Sequence, residues 1–328
     1  MAEEKKNSDV AKNEQADSER FINLCMREIT GIVPQSQQEG DILNFRRRML
    51  GNYQIALDLK LKDLEAQRIS KNAMIKDESK KELLEYTWKN IEMENLIKNV
   101  YNYSFIGLDP LVPNHVNMYP VKTKAGKWGI VFIKGYVGLE IIARKYGMDT
   151  PDDIIVDIVY KNDSFVPVKK DVSNKVESYK FEISNPFDRG EIVGGFYYFQ
   201  YFRQPDKNKL KVMSIKDIMK RKPKYASTDF WGGDKDVWEC GKKTDKKEHI
   251  EGWLDEMVMK TLKRAAWNSI PIDSSKMDVY IKGVINEDKL QQVEPVIEEN
   301  AQQTGAGKTL DITEIQEVKE EKPKSELF

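Results

Sequence analysis

Cysteine and histidine are nearly missing from this sequence, with two of each in 328 residues. Cys25 and Cys240 lie far apart and form no Cys-x-x-Cys spacing, which argues against a disulfide framework and a zinc knuckle and fits a reducing compartment. His115 and His249 are too few and too isolated to suggest a metal site or a catalytic triad. No apolar run approaches the ~18 residues that a membrane-spanning helix needs. The opening decapeptide, Met1 to Val10, lacks the apolar stretch of a secretory signal, so a cytoplasmic protein without a membrane partner is expected.

Enzyme signatures are equally sparse. Residues Gly305, Gly307, Lys308 and Thr309 imitate a phosphate loop, but the loop also needs glycine five residues before Gly307, where Gln302 stands. An apolar strand should precede such a loop, and here the flank is polar. No Gly-x-Ser-x-Gly or His-Glu-x-x-His sequence occurs, and the many carboxylates form no recognisable nuclease cluster. A non-enzymatic protein without ATP is the expectation, with magnesium at most a modulator.

What is present is charge, unevenly spread. The 53 Lys and Arg against 54 Asp and Glu give a net of -1. Residues 1–19 carry three lysines and six acids, a net of -3, and residues 286–328 carry five lysines and eleven acids, a net of -6. Subtracting both from -1 leaves about +8 on residues 20–285. A basic body with acidic ends points to a polyanionic partner.

Element signals divide the body. Residues 1–19 read as a disordered acidic arm. Residues 20–106 read as a helical lobe: a first helix from Phe21 to Ile29 stopped by Gly31 and Pro34, a long one from Ile42 to about Ile69, and a third from Lys80 to Tyr101. Gly107, Leu108, Asp109 and Pro110 form a closing turn. Residues 107–285 then change texture. Strands are expected over Asn117–Lys122 and Lys127–Ile133, a helix over Gly135–Tyr146, and a hairpin of 153–160 with 164–168 around Asn162 and Asp163. Further strands follow at 178–183 and 191–203, the latter pairing with Lys209–Met213, and Ser214 caps a short helix. A polar loop over 222–247 and a last helix from Glu248 to Ser269 complete the body, and 286–328 reads as an acidic flexible tail. The order predicts an α+β fold: a helical N-terminal lobe packed with an antiparallel sheet interrupted by a helix, closed by a C-terminal helix.

Four basic groups are candidates to grip phosphate, which takes Lys and Arg without regard to base sequence. Lys122, Lys124 and Lys127 decorate the first hairpin turn, where solvated surface is the commoner role. Lys134 sits between a strand and a helix start, and Gly135 and Gly138 permit close approach of either a neighbouring strand or a phosphate. Arg144 and Lys145 end that helix, where they could simply complement its dipole. Lys260, Lys263 and Arg264 fall at i, i+3 and i+4 on one helix face, although Glu256 could pair with Lys260. Arg203, Lys207, Lys209 and Lys211 gather at a hairpin tip. The aromatic run Phe196 to Phe202 feeds two sheet faces; one must be core, and burial is favoured for the other over a base-stacking platform.

Several stretches together resemble the RecT family of phage single-strand annealing proteins: Gly107-Leu108-Asp109-Pro110, Tyr119-Pro120, the run Phe132 to Leu139 with Ala143-Arg144, and Asp255-Glu256-Met257 with Lys260-Thr261 and Lys263-Arg264. The glycine-rich strand 190–199 and the basic segment 220–224 with Trp231 are similar in placement. The resemblance covers roughly residues 80–275. The long helix at 42–70, with Arg46, Arg47 and Arg48, and the loop 225–247 depart from it. It implies an ATP-independent recombinase that coats single-stranded DNA, anneals the complementary strand into a duplex, assembles into rings or helical filaments and works beside a phage exonuclease. A basic groove between two lobes would hold the DNA. Carried across, Lys134, Lys260 and Arg264 are its first candidates, with Lys263 and Arg144 behind them. Alternatives are a single-strand binding or replication accessory protein that does not anneal, and a metal-dependent phage nuclease.

Overall fold

A computed structural model describes residues 17–27, 41–222, 226–239 and 242–290. The fold is α+β, helices with antiparallel sheets. Helix α1 covers residues 17–27. Helix α2 (Asp41–Met74) turns Met49, Leu50, Tyr53, Leu57, Leu61 and Leu64 inward, a stripe recurring every three to four residues. Helix α3 (Met93–Ile106) ends at Gly107, whose φ of 98° supplies the left-handed residue that stops the helix. The hairpin of β1 (Val116–Lys122) and β2 (Trp128–Lys134) lays Val116, Met118, Trp128, Ile130 and Phe132 into the same core.

Helix α4 (Tyr136–Tyr146) is shared between two cores. Ile142 and Tyr146 belong to the first, Leu139 and Ala143 to the second. The second is built on a three-stranded sheet in the order β3 (Asp153–Tyr160), β6 (Ile192–Gln200), β7 (Lys209–Ser214). Both faces of β6 are buried. Phe196 and Tyr198 meet Phe165, Tyr179 and Phe181 of the hairpin β4 (Ser164–Val168) and β5 (Ser178–Glu182), whereas Tyr197 and Phe199 meet α4 and α7 (Leu254–Asn268). Gly195 admits α7, because a Cβ there would lie 2.4 Å from Leu262 Cδ1. The burial expected of the aromatic run is found, with Phe202 exposed beyond the strand.

Four expectations need correction. Residues 80–92 are not helical: only short turns at Glu78–Lys80 and Trp88–Asn90 form, and the chain runs extended enough for Tyr86 to stack on Trp128 at 4.3 Å. Strands 153–160 and 164–168 do not pair with each other; β3 takes β6 and β4 takes β5. At the turn between them, Asp163 accepts the Tyr160 amide and holds Arg189, which fastens a distant loop there. Within the expected polar loop lie α6 (Thr228–Trp231) and a hairpin of β8 (Gly233–Glu239) with β9 (Lys242–Ile250), so α7 starts at Leu254. Finally α8 (Val279–Leu290) follows α7, and returns Ile281 and Val284 to the first core. Between β7 and α6, α5 (Ile215–Met219) begins at Ser214, whose hydroxyl accepts the Asp217 amide as expected. The expectations for residues 1–16, for Ile29, Gly31 and Pro34, for Cys240, and for the phosphate-loop imitation and acidic tail beyond 290 lie outside the described residues. Among the described residues no helix is long and apolar enough to cross a membrane.

Candidate nucleic-acid interface

The strand-to-helix passage from β2 to α4 is set by the turn before β1. Asn114 adopts a φ of 62°, and the Asn114 and His115 carbonyls accept the Gly138 and Gly135 amides, each at 3.0 Å. A Cβ on either glycine would lie 2.1 Å from one of those carbonyl oxygens. The glycines therefore serve a neighbouring segment, the first of the two roles open to them. One α4 amide that a phosphate could have used is already answered by Asn114. His115 accepts the Asp109 amide at Nδ1 (3.3 Å), and burial pushes its pKa below the usual range, which keeps the ring neutral.

Onto this passage α7 lays its basic face. Arg264 Nη1 donates to the Lys134 carbonyl at 2.7 Å, and the Lys263 ammonium lies 4.9 Å from the Tyr136 ring centre. Lys260 is one turn back on the same helix face. Arg144, two turns along α4, rests over Trp267 at 5.2 Å and pairs with Glu140 at 2.8 Å. Lys134, Arg144, Lys260, Lys263 and Arg264 are thus gathered where α4 and α7 meet. Among the described residues Lys260 and Lys263, both half-buried, are in no ion pair, and the expected pairing of Glu256 with Lys260 does not form. The register adds two more cations. Lys211 stands opposite Tyr197 and Lys209 opposite Phe199, so both lie on the sheet face that carries α4 and α7.

One placement differs from expectation. The Lys134 side chain is only 6 % exposed, so it lies beneath the surface instead of along an open groove. The hairpin turn of Lys122, Lys124 and Lys127 is at the far end of β2, about 20 Å from Lys134 at ~3.3 Å per residue. Lys122 there pairs with Glu82 at 3.3 Å, while Lys124 and Lys127 are exposed. Arg203 is exposed in the β6–β7 connection beside Phe202, and Lys207 pairs with Asp149 at 3.2 Å.

No family model, curated protein or solved structure matches this chain. The interface therefore stands on its own chemistry. It gathers ammonium and guanidinium groups on a helix–helix junction, with Glu140 held by Arg144 and Glu256 one turn before Lys260. Such a surface attracts phosphate and leaves base edges unread. The sequence did not expose the roles of Tyr136 and Trp267, the rings under Lys263 and Arg144, because a cation–ring contact between separate helices leaves no periodic trace. Glu140 was missed as well, although its place four residues before Arg144 is a signal that could have found it. Among the described residues no group of three or more His, Cys, Asp or Glu is placed to hold a metal ion.

Proposed function

We propose that this chain binds single-stranded DNA along the α4–α7 face and promotes annealing of the complementary strand without hydrolysing a nucleotide. The observation that carries the reading is the convergence of Lys260, Lys263, Arg264 and Arg144 at one junction, with Lys260 and Lys263 in no ion pair among the described residues. Two DNA strands repel each other, and cations that neutralise phosphates on both lower that barrier while the bases stay free to test pairing. Base pairing and stacking then supply the favourable free energy. The motif resemblance to the RecT family supports annealing over simple coating. It also makes a ring or helical filament of copies, a cytoplasmic setting and an exonuclease partner part of the same proposal.

The test mixes labelled complementary oligonucleotides with purified protein, with no ATP, and with magnesium or a chelator. Faster duplex formation supports the proposal. Binding without acceleration would favour a single-strand accessory protein, and strand loss abolished by the chelator would favour a nuclease.

A further inference from the structure

Helix α2 is apolar on two sides. Its inner stripe is spent in the core. Nearly opposite, Ile55, Leu59 and Ile69 remain 50 %, 60 % and 57 % exposed, with Ala66 and Ala73 exposed between and beyond them and Gly51 on the same face. These positions follow a spacing of three and four residues along a 34-residue helix. A soluble helix normally carries charge along such a face. Here Arg48 and Lys62 interrupt it and Asp58 and Asp63 flank it, and Asp58 and Lys62 already lie 2.7 Å apart.

We propose that this outer face of α2 pairs antiparallel with the same face of α2 in a second copy of the chain. The pattern is complementary to its own reversal. Turned end for end about a point between Leu59 and Lys62, the seam sets Ile55 against Ala66 of the second copy and Ile69 against Gly51. Ile55 and Ile69 thereby meet small residues, while Leu59 comes level with the aliphatic stem of Lys62 of the second copy. The same reversal brings Lys62 beside Asp58 of the second copy, twice by symmetry, and places the two Leu59 side chains on either side of the axis. A two-fold contact of this kind is closed: it makes a pair and stops. It is therefore distinct from the head-to-tail contact that a ring or filament requires, and it does not rest on the nucleic-acid reading.

The full chain is examined by sedimentation velocity at micromolar concentration without DNA, as wild type and as Ile55→Glu with Leu59→Glu. The expected result is a dimer that the double variant converts to monomer, with an unchanged circular dichroism spectrum. A wild-type monomer overturns the proposal and would assign the face to another partner, and so does a dimer that survives both substitutions. Should the double variant fail to fold, Leu59→Cys in a Cys240→Ser background decides the matter. Mild oxidation is expected to give one covalent dimer band, and Gln67→Cys, off the seam, none. Absence of the Leu59→Cys dimer overturns the proposal.

Discussion

Arg46 holds its guanidinium 3.4 Å above the Phe105 ring, at the junction of α2, α3 and α8. Two of its nitrogens, Nε and Nη1, are buried without a hydrogen-bond partner. Burial lowers its pKa, and the nearby Tyr101 and Tyr280 only partly offset that. A buried donor without an acceptor costs about 1–3 kcal/mol, so the two together outweigh a ring contact of about 2 kcal/mol. Arg46→Met keeps the stem over Phe105 and removes the stranded donors. It is expected to raise the unfolding free energy in urea by about 1 kcal/mol. Asp163 presents the opposite case. Its side chain is 1 % exposed, and Arg189 donates to it at 2.6 and 3.1 Å. That hydrogen bond, with the Tyr160 amide, holds the carboxyl below its usual pKa. Because the folded-state value is depressed, the stabilisation is present above pH ~4 and is lost as pH falls through the folded value. Asp163→Asn should cost about 3 kcal/mol at neutral pH. Urea unfolding between pH 3 and 7 should then show a shallower acid loss for the variant than for wild type.

On α7 the three cations do different work. Arg264 answers a backbone carbonyl, so Arg264→Ala removes a charge-assisted hydrogen bond and should lower stability by about 1–3 kcal/mol. Among the described residues Lys260 and Lys263 answer no backbone group, and Lys260→Ala with Lys263→Ala should cost no more than the contact of Lys263 with Tyr136, about 0.5–1 kcal/mol. That pair should weaken single-strand binding equally across unrelated sequences and reduce the slope of log K against log salt by up to about 2. An unchanged salt slope would remove this face from the interface. The same helix shows what a local pattern can and cannot reveal. Its cations, its apolar side and its end before Pro271 were legible because all repeat within the helix. The first hairpin and α4 were legible for the same reason, since alternation and a Gly-containing turn are local. The pairing of β3 with β6 was not, because the choice rests on a bulky aromatic strand filling two faces at once. Nor was the extended course of 80–92, where Trp128 outcompetes helix periodicity for Tyr86. Of the interface, the charged residues could be read in advance but not their depth: Lys134 lies at the end of a strand whose every position is buried.

At the scale of the whole chain, the two cores are joined by α4, and α8 brings the chain back from α7 to the first core. Asp278 is the clasp. Its carboxylate caps α8 by accepting the Tyr280 and Ile281 amides, at 3.0 and 2.9 Å, and accepts the Tyr146 hydroxyl at 2.8 Å. Burial and that carboxylate raise the Tyr146 pKa, so the phenol keeps its proton and the clasp stays closed across the physiological range. Gly283 lets the helix sit against α3, since a Cβ there would lie 2.3 Å from Asn102 Nδ2. Two truncations separate this clasp from the acidic stretch after it. Residues 291–328 carry nine acids and four lysines, a net of -5, and repel DNA if they bear on binding at all. Deleting them is expected to leave the melting temperature and the annealing rate unchanged or the rate higher at low salt. Deleting from residue 279 onward also removes the buried Ile281 and Val284, each contributing about 1.5–3 kcal/mol, and uncovers Tyr101 and Phe105. That protein should lose about 4 kcal/mol or more in urea unfolding. Equal stability of the two truncated proteins would show that α8 is no clasp, and a loss of annealing by the shorter deletion alone would place the acidic stretch within the working parts of the molecule.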